Sequence, residues 1–310
     1  MKLPILFTIF VLHAILVFSQ TKEIDSVILK RHNANLTYSL IYKENSELSY
    51  TSPVGEIGAP SKYIINGRLT TNYLVVASQS LPLAFSIIPD FTVRVRNERS
   101  AGVRTPSFKL GGSLFLRLSL HAHRYRYAEL SFIHHSNGQD GEALLKDGSI
   151  NTTDGNFNTN YLIAAYRFGY FTNRSINGDY AGFHHKVGFQ WHKWFDYETA
   201  LTGVYGFTRI NYDLSFRIYH ISKNKVEKEK WRFNGSVSYA INSLTNYAIF
   251  APKRRLNSEL SANYSFPFMQ NVFLMATIGY YGEDPYNIYF KDKYAYARFG
   301  ISSTFMRWKR

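Results

Sequence analysis

Ser136 and His134 stand two residues apart in the run Ala128-Glu129-Leu130-Ser131-Phe132-Ile133-His134-His135-Ser136-Asn137-Gly138. A serine hydroxyl becomes a nucleophile when a neighbouring base takes its proton, and a neutral imidazole suits that task. In an extended chain alternate residues share a face. Ser136, His134, Phe132, Leu130 and Ala128 therefore lie together, and His135 points the other way. Asn160 opens a second run of this kind, sharing its face with Leu162, Ala164, Tyr166 and Phe168. A side-chain carbonyl there can orient the imidazole and fix its tautomer, the part an aspartate plays in serine proteases. An amide stabilises an imidazolium less than a carboxylate does, but it brings no charge to an apolar surface. Ser136, His134 and Asn160 are thus candidates for acyl-transfer chemistry, with ordinary loop-rim residues as the alternative. Metal binding by His134-His135, or by His184-His185, is disfavoured because adjacent strand residues face opposite sides.

The elements that must hold these residues are strands. Period-two alternation dominates the chain. In 256–266, Leu256, Leu260, Ala262, Tyr264 and Phe266 alternate with Asn257, Glu259, Ser261, Asn263 and Ser265. Leu114, Leu116, Leu118 and Leu120 alternate with Ser113, Phe115, Arg117 and Ser119. The pattern predicts twelve strands near 34–43, 67–77, 84–96, 112–120, 124–136, 158–170, 182–196, 201–219, 231–242, 256–266, 271–281 and 293–305. Many have about ten residues, the length a tilted strand needs to cross a bilayer. Aromatics are 17% of the 310 residues, with 24 Tyr and 24 Phe. Mean hydropathy is nonetheless −0.23. Apolar residues interleaved with polar ones give both values, as an all-β transmembrane antiparallel barrel of twelve strands requires. A soluble sandwich also alternates, but its inner face is apolar and needs no such excess of tyrosine. Connections alternate too: 78–83, 121–123 and 267–270 are short, whereas 97–111, 137–157, 243–255 and 282–292 are long. The gaps 171–181 and 197–200 break that rhythm.

Met1-Lys2 and the apolar run Leu3–Phe18 read as a secretory signal peptide over 1–19, leaving a single barrel domain over 20–310. No cysteine is present, so no disulfide framework exists. The net charge of +14 is spread through the chain. For an exported protein, acidic lipid headgroups and lipopolysaccharide phosphates are the expected counter-ions rather than nucleic acid.

The run Glu129–Gly138, with His-Xaa-Ser-Asn-Gly at its end and an asparagine opening the next strand, resembles the active-site strand of the outer-membrane phospholipase A family. Gly279-Tyr280-Tyr281-Gly282-Glu283, followed by Tyr286 and Tyr289, is similar to a second stretch of that family. The resemblance implies a twelve-stranded barrel of the bacterial outer membrane that hydrolyses acyl esters of phospholipids. It implies calcium dependence and activation by homodimerisation. It casts Ser136 as nucleophile, His134 as base and Asn160 as the orienting residue. It implies calcium ligands at Gln139, through its backbone carbonyl, and at Asn156. Asp140, Glu142, Asp147 and Asp154 in the intervening loop are alternative oxygen donors. The His-Xaa-Ser-Asn signature also resembles lipid A deacylases, smaller barrels with the motif near the C-terminus. A lipid A deacylase and a non-catalytic, porin-like barrel with an open polar lumen are therefore the alternatives.

Overall fold

The computed structural model describes residues 47–78, 81–97, 103, 106–121, 124–222, 227–269, 271–285 and 289–304. The expected signal peptide, the expected strand at 34–43 and Tyr286 lie outside them. The strands are β1 (Ser49–Ser52), β2 (Tyr63–Thr70), β3 (Tyr73–Ala77), β4 (Leu83–Arg96), β5 (Ser107–His121), β6 (Arg124–Ser136) and β7 (Thr159–Phe171). They continue with β8 (Asp179–Trp191), β9 (Thr208–Ile221), β10 (Glu227–Ala240), β11 (Leu256–Tyr264), β12 (Val272–Tyr281) and β13 (Tyr294–Ser303). Every pairing between them is antiparallel.

The sheet closes on itself. From β4 to β13 each strand pairs with the next, β13 pairs with β1, β1 with β2, and β2 returns to β4. Both β2 and β3 lie along β4, against its residues 90–96 and 84–87 respectively. They are one strand position broken at 71–72, opposite Pro89, which has no N–H to give the ladder. The result is a closed twelve-strand antiparallel barrel, as the alternation predicts. A short helix, α1 (Pro252–Arg255), precedes β11.

The loop rhythm is restored where the sequence broke it. The strand expected from 201 begins at Thr208, and 192–207 forms a long loop with a 3₁₀ turn at Thr199–Leu201. Leu201, Tyr205 and Phe207 are all buried, and their spacing mimics a strand. With 172–178 as a short turn, long loops gather at one end of the barrel and short turns at the other.

The two faces follow from the absence of water in a bilayer. On β6 the odd residues Tyr125, Tyr127, Glu129, Ser131 and His135 are buried in the lumen, whereas Phe132 and His134 on the other face are exposed. Lumen charges are paired: Glu129 takes Arg167, Lys186 (Nζ at 3.0 Å) and the Ser131 hydroxyl (2.8 Å). Arg94 binds Asp284 in bidentate fashion (2.8 and 2.6 Å), and Tyr294 donates to Asp284 or Glu56 at 2.9 and 3.0 Å. Apolar clusters lie at two levels. Ala84, Phe115, Tyr125 and Tyr127 pack toward the short-turn end, and Phe157, Leu201, Tyr205, Phe207 and Phe290 pack among the long loops. These inward-facing side chains are largely buried and paired with one another.

Leu130→Arg, on the lipid face, is expected to cost about 2–4 kcal/mol if near the midplane. Glu129→Ala removes the partner of Arg167 and Lys186 and is expected to cost about 3–5 kcal/mol. Urea titration of folded barrel, followed by heat-modifiable gel mobility, measures both. Wild-type midpoints in either variant would overturn the face assignment.

Candidate active site

Strand pairing brings the candidates together. His134 of β6 is the direct cross-strand neighbour of Asn160 of β7, and on its other side Leu110 of β5. Ser136 lies opposite Phe108. All are on the lipid-facing surface, at the ends of β6 and β7 nearest the long loops. His134 Nδ1 and Asn160 Oδ1 are 2.8 Å apart. A carbonyl oxygen only accepts, so Nδ1 is the donor in this pair, and in the neutral ring the lone pair then sits on Nε2. Nε2 is thereby presented as a base.

Ser136 Oγ accepts a hydrogen bond from the Gly138 N–H at 3.1 Å. Among the described residues no hydrogen bond joins Ser136 to His134. Residues two apart on a strand are separated by about 7 Å, and rotation of the serine side chain closes part of that gap. Such contacts commonly tighten only with substrate. Gly138 turns the chain with φ +65°, and a Cβ there would lie 3.0 Å from the Phe108 ring. Glycine thus places its N–H under Ser136 where another residue would be strained.

His135 faces the lumen, 2% exposed, with its Nε2 sharing a 2.8 Å hydrogen bond with Ser107 Oγ. The His184-His185 pair splits likewise: His184 is bonded to Tyr125 (2.6 Å) and His185 to Tyr212 (2.9 Å). His192, buried beside Tyr161, bonds Phe207 O at 2.7 Å, and burial pushes its pKa down to about 3.

Asn137 is a site residue that sequence reasoning passed over. It is 1% exposed, and its Nδ2 donates to Gly155 O at 2.8 Å while its Oδ1 accepts from Phe157 N at 3.3 Å. It ties both ends of the loop 137–158 to the barrel rim. A bridge between Gly141 and Gly155 continues that closure. Its one sequence signal is parity: it lies on the buried face, directly after the serine.

The oxygen donors suggested for calcium sit in this loop. Asn156 Oδ1 is buried without a hydrogen-bond partner, as is Asn158 Oδ1. An orphaned buried carbonyl oxygen is what a hard cation would satisfy, so Asn156 fits that role. Gln139 is half-buried near the loop's base. The acidic alternatives are scattered. Hydrogen bonds from Ser149 engage Asp147 and lower its pKa, and Asp154 accepts from Asn151 at 2.7 Å. Among the described residues no three His, Cys, Asp or Glu side chains are grouped to hold a metal.

Around the polar trio the surface is apolar. Phe108, Leu110 and Phe132 are exposed, Phe132 packs edge-on against Phe195 at 5.1 Å, and Trp191 and Trp194 lie further along the rim. The second stretch noted in the sequence is structural. Tyr281 packs against Tyr294 and Tyr296, and Glu283 is 2% exposed, accepting from Gly206 N at 2.8 Å and pairing with Arg209.

No protein-family model matches the chain, and no curated protein does. Solved structures do. The outer membrane phospholipase A from Escherichia coli aligns over 83% of this chain and 90% of its own, with a TM-score of 0.54 and 11% identity. A Salmonella typhi outer membrane phospholipase dimer with bound calcium covers the same shares, with a TM-score of 0.53 and 12% identity. At such identity the likeness is one of fold: this chain shares the twelve-strand barrel architecture of outer-membrane proteins.

Gly138→Ala forces a left-handed alanine, costing about 1–2 kcal/mol, and presses on Phe108. Its expected result is a folded barrel with sharply reduced reactivity at Ser136, read by serine-directed labelling. Asn137→Ala strands the Gly155 and Phe157 backbone groups, at about 1–3 kcal/mol. Limited proteolysis is expected to cut within 138–157 faster than in the unaltered protein.

Proposed function

We propose that this chain is an outer-membrane phospholipase, cleaving acyl esters of membrane phospholipids with Ser136 as nucleophile, His134 as general base and Asn160 as the orienting residue. The observation that carries this reading is the His134 Nδ1–Asn160 Oδ1 bond on the lipid face. Unpaired polar groups are costly against hydrocarbon, and here two of them are spent on fixing one imidazole tautomer beside a serine.

This reading implies the following steps. Ser136 Oγ attacks the ester carbonyl carbon as its proton passes to His134 Nε2. The oxyanion forms beside Oγ, within reach of the Gly138 N–H that already contacts that atom. His134 returns the proton to the departing alcohol oxygen, leaving an acyl-serine and a lysophospholipid. Water, deprotonated by His134, then releases the fatty acid and restores the serine. Asn160 holds the ring throughout but moves no proton. Calcium, held by the Gln139 carbonyl and Asn156 Oδ1, would supply positive charge near the developing oxyanion. A second copy of the chain would cover an acyl chain that a single barrel leaves open to surrounding lipid, so the active form is proposed to be a homodimer. Export through a signal peptide over 1–19 belongs to the same reading. The buried and ion-paired charges of the lumen favour this over an open pore.

Purified protein in phosphatidylethanolamine–detergent micelles is expected to release fatty acid, and a calcium chelator to stop it. Ser136→Ala and His134→Ala should each lose at least about 10³-fold in kcat, Asn160→Ala should retain weak activity, and His135→Ala should work normally once folded. A sulfonyl fluoride should label Ser136 only when His134 is present. Full activity in Ser136→Ala, or a worse defect in His135→Ala than in His134→Ala, would overturn the assignment. Release of acyl chains from lipid A but not from phospholipid would replace the substrate.

A further inference from the structure

The loop between β10 and β11 holds an exposed apolar tip on a rigid frame. Phe250 is 90% exposed and Ile249 49%. Such a tip usually belongs to a mobile loop, yet this one is fastened by the Arg255 guanidinium, itself 2% exposed. Arg255 donates to the carbonyls of Ala240, Asn242, Tyr247 and Ala248 at 2.7–2.9 Å. The neighbouring Arg254 donates to Gly282 O and Val204 O. Two tyrosines fix where the loop sits. Tyr239 of β10, half-buried, shares its face with the exposed Phe233 and Val237, and Tyr280 of β12, also half-buried, with the exposed Leu274 and Ile278, the face toward lipid. Tyr239 OH donates to Ile249 O at 2.7 Å, and Tyr280 OH to Lys253 O at 2.5 Å. Outward tyrosines near a strand end mark the boundary between hydrocarbon and headgroups. The loop is therefore bound to the lipid side of the barrel at that boundary, on strands far round the ring from β6 and β7.

We infer that residues 247–253 form an interfacial lipid-binding site, in which Phe250 and Ile249 enter the outer leaflet and the Lys253 ammonium meets the phosphate of an anionic lipid. Lys253 is exposed beside the apolar tip, and Lys293, bonded to Tyr247 OH at 3.2 Å, adds positive charge on the same side. An apolar tip flanked by lysines matches a molecule with acyl chains below a phosphate. Soluble phosphate would use the lysines but leave Phe250 in water. The occupant is therefore a membrane lipid.

The chain has no cysteine, so a single Phe250→Cys variant can carry one bimane label, with Leu145→Cys in the loop 137–158 as control. In phosphatidylcholine nanodiscs the label at 250 is expected to be blue-shifted and quenched by a lipid bearing a nitroxide near its carbonyl. The control should instead be quenched by aqueous iodide. The unlabelled native chain, placed in mixed phosphatidylcholine–phosphatidylglycerol nanodiscs and re-extracted, should retain phosphatidylglycerol in excess. Lys253→Glu should lose that excess while keeping its heat-modifiable mobility. Iodide quenching at 250 equal to the control would overturn the insertion. Equal retention of both lipids by the native chain, or displacement of phosphatidylglycerol by inorganic phosphate, would overturn the lipid-phosphate site.

Discussion

A backbone that crosses hydrocarbon must satisfy every N–H and C=O within itself, because no water is there to bond them. A strand cannot do this alone, so the sheet must close. The closure here runs through β1 and its two neighbours, β13 and β2, and then to β4. Period two follows from the same constraint. One face of each strand meets lipid and must be apolar, which sends the polar half of the sequence inward.

The lumen then inherits a second constraint, since charges sent there leave bulk water. They are stable only in company. Glu129 is held by Arg167 and Lys186, Asp284 by Arg94, and Glu283 by Arg209. The long loops use the same means. Asp284 and Glu283 come from the loop after β12, and Glu56 from the loop after β1, so ion pairs that fill the lumen also anchor what covers it. Phe157, Leu201, Tyr205 and Phe290, from three different loops, complete that cover with apolar contacts.

Against this background the outward-facing His134, Asn160 and Ser136 are exceptions to the rule that formed the barrel. Their cost is moderated by position. They lie at the strand ends, next to the long loops, where a headgroup region replaces hydrocarbon. His134 and Asn160 satisfy one another, and Ser136 takes the Gly138 N–H. The loop that begins at Asn137 draws its fixed shape from the opposite face, since Asn137 points into the barrel and bonds the loop's far end. Adjacent residues at the end of one strand thus face opposite ways, with the candidate trio outside and the support of the loop inside.

Alternation alone determined much of this. It placed Ser136, His134 and Asn160 on one surface and His135 on the other, because side-chain direction in a strand depends only on parity. It gave most strand positions to within a few residues. It misplaced the start of β9, because Leu201, Tyr205 and Phe207 alternate inward from a loop as strand residues do. It did not reveal the break opposite Pro89, the role of Asn137 or the filling of the lumen. Nor did parity show that His134 stands directly opposite Asn160 rather than one or two positions away. That register is set by hydrogen bonds between backbones, which are alike at every residue. Only the closed ring, with each strand's offset fixed by its neighbours, selects one pairing from the several that the sequence permits.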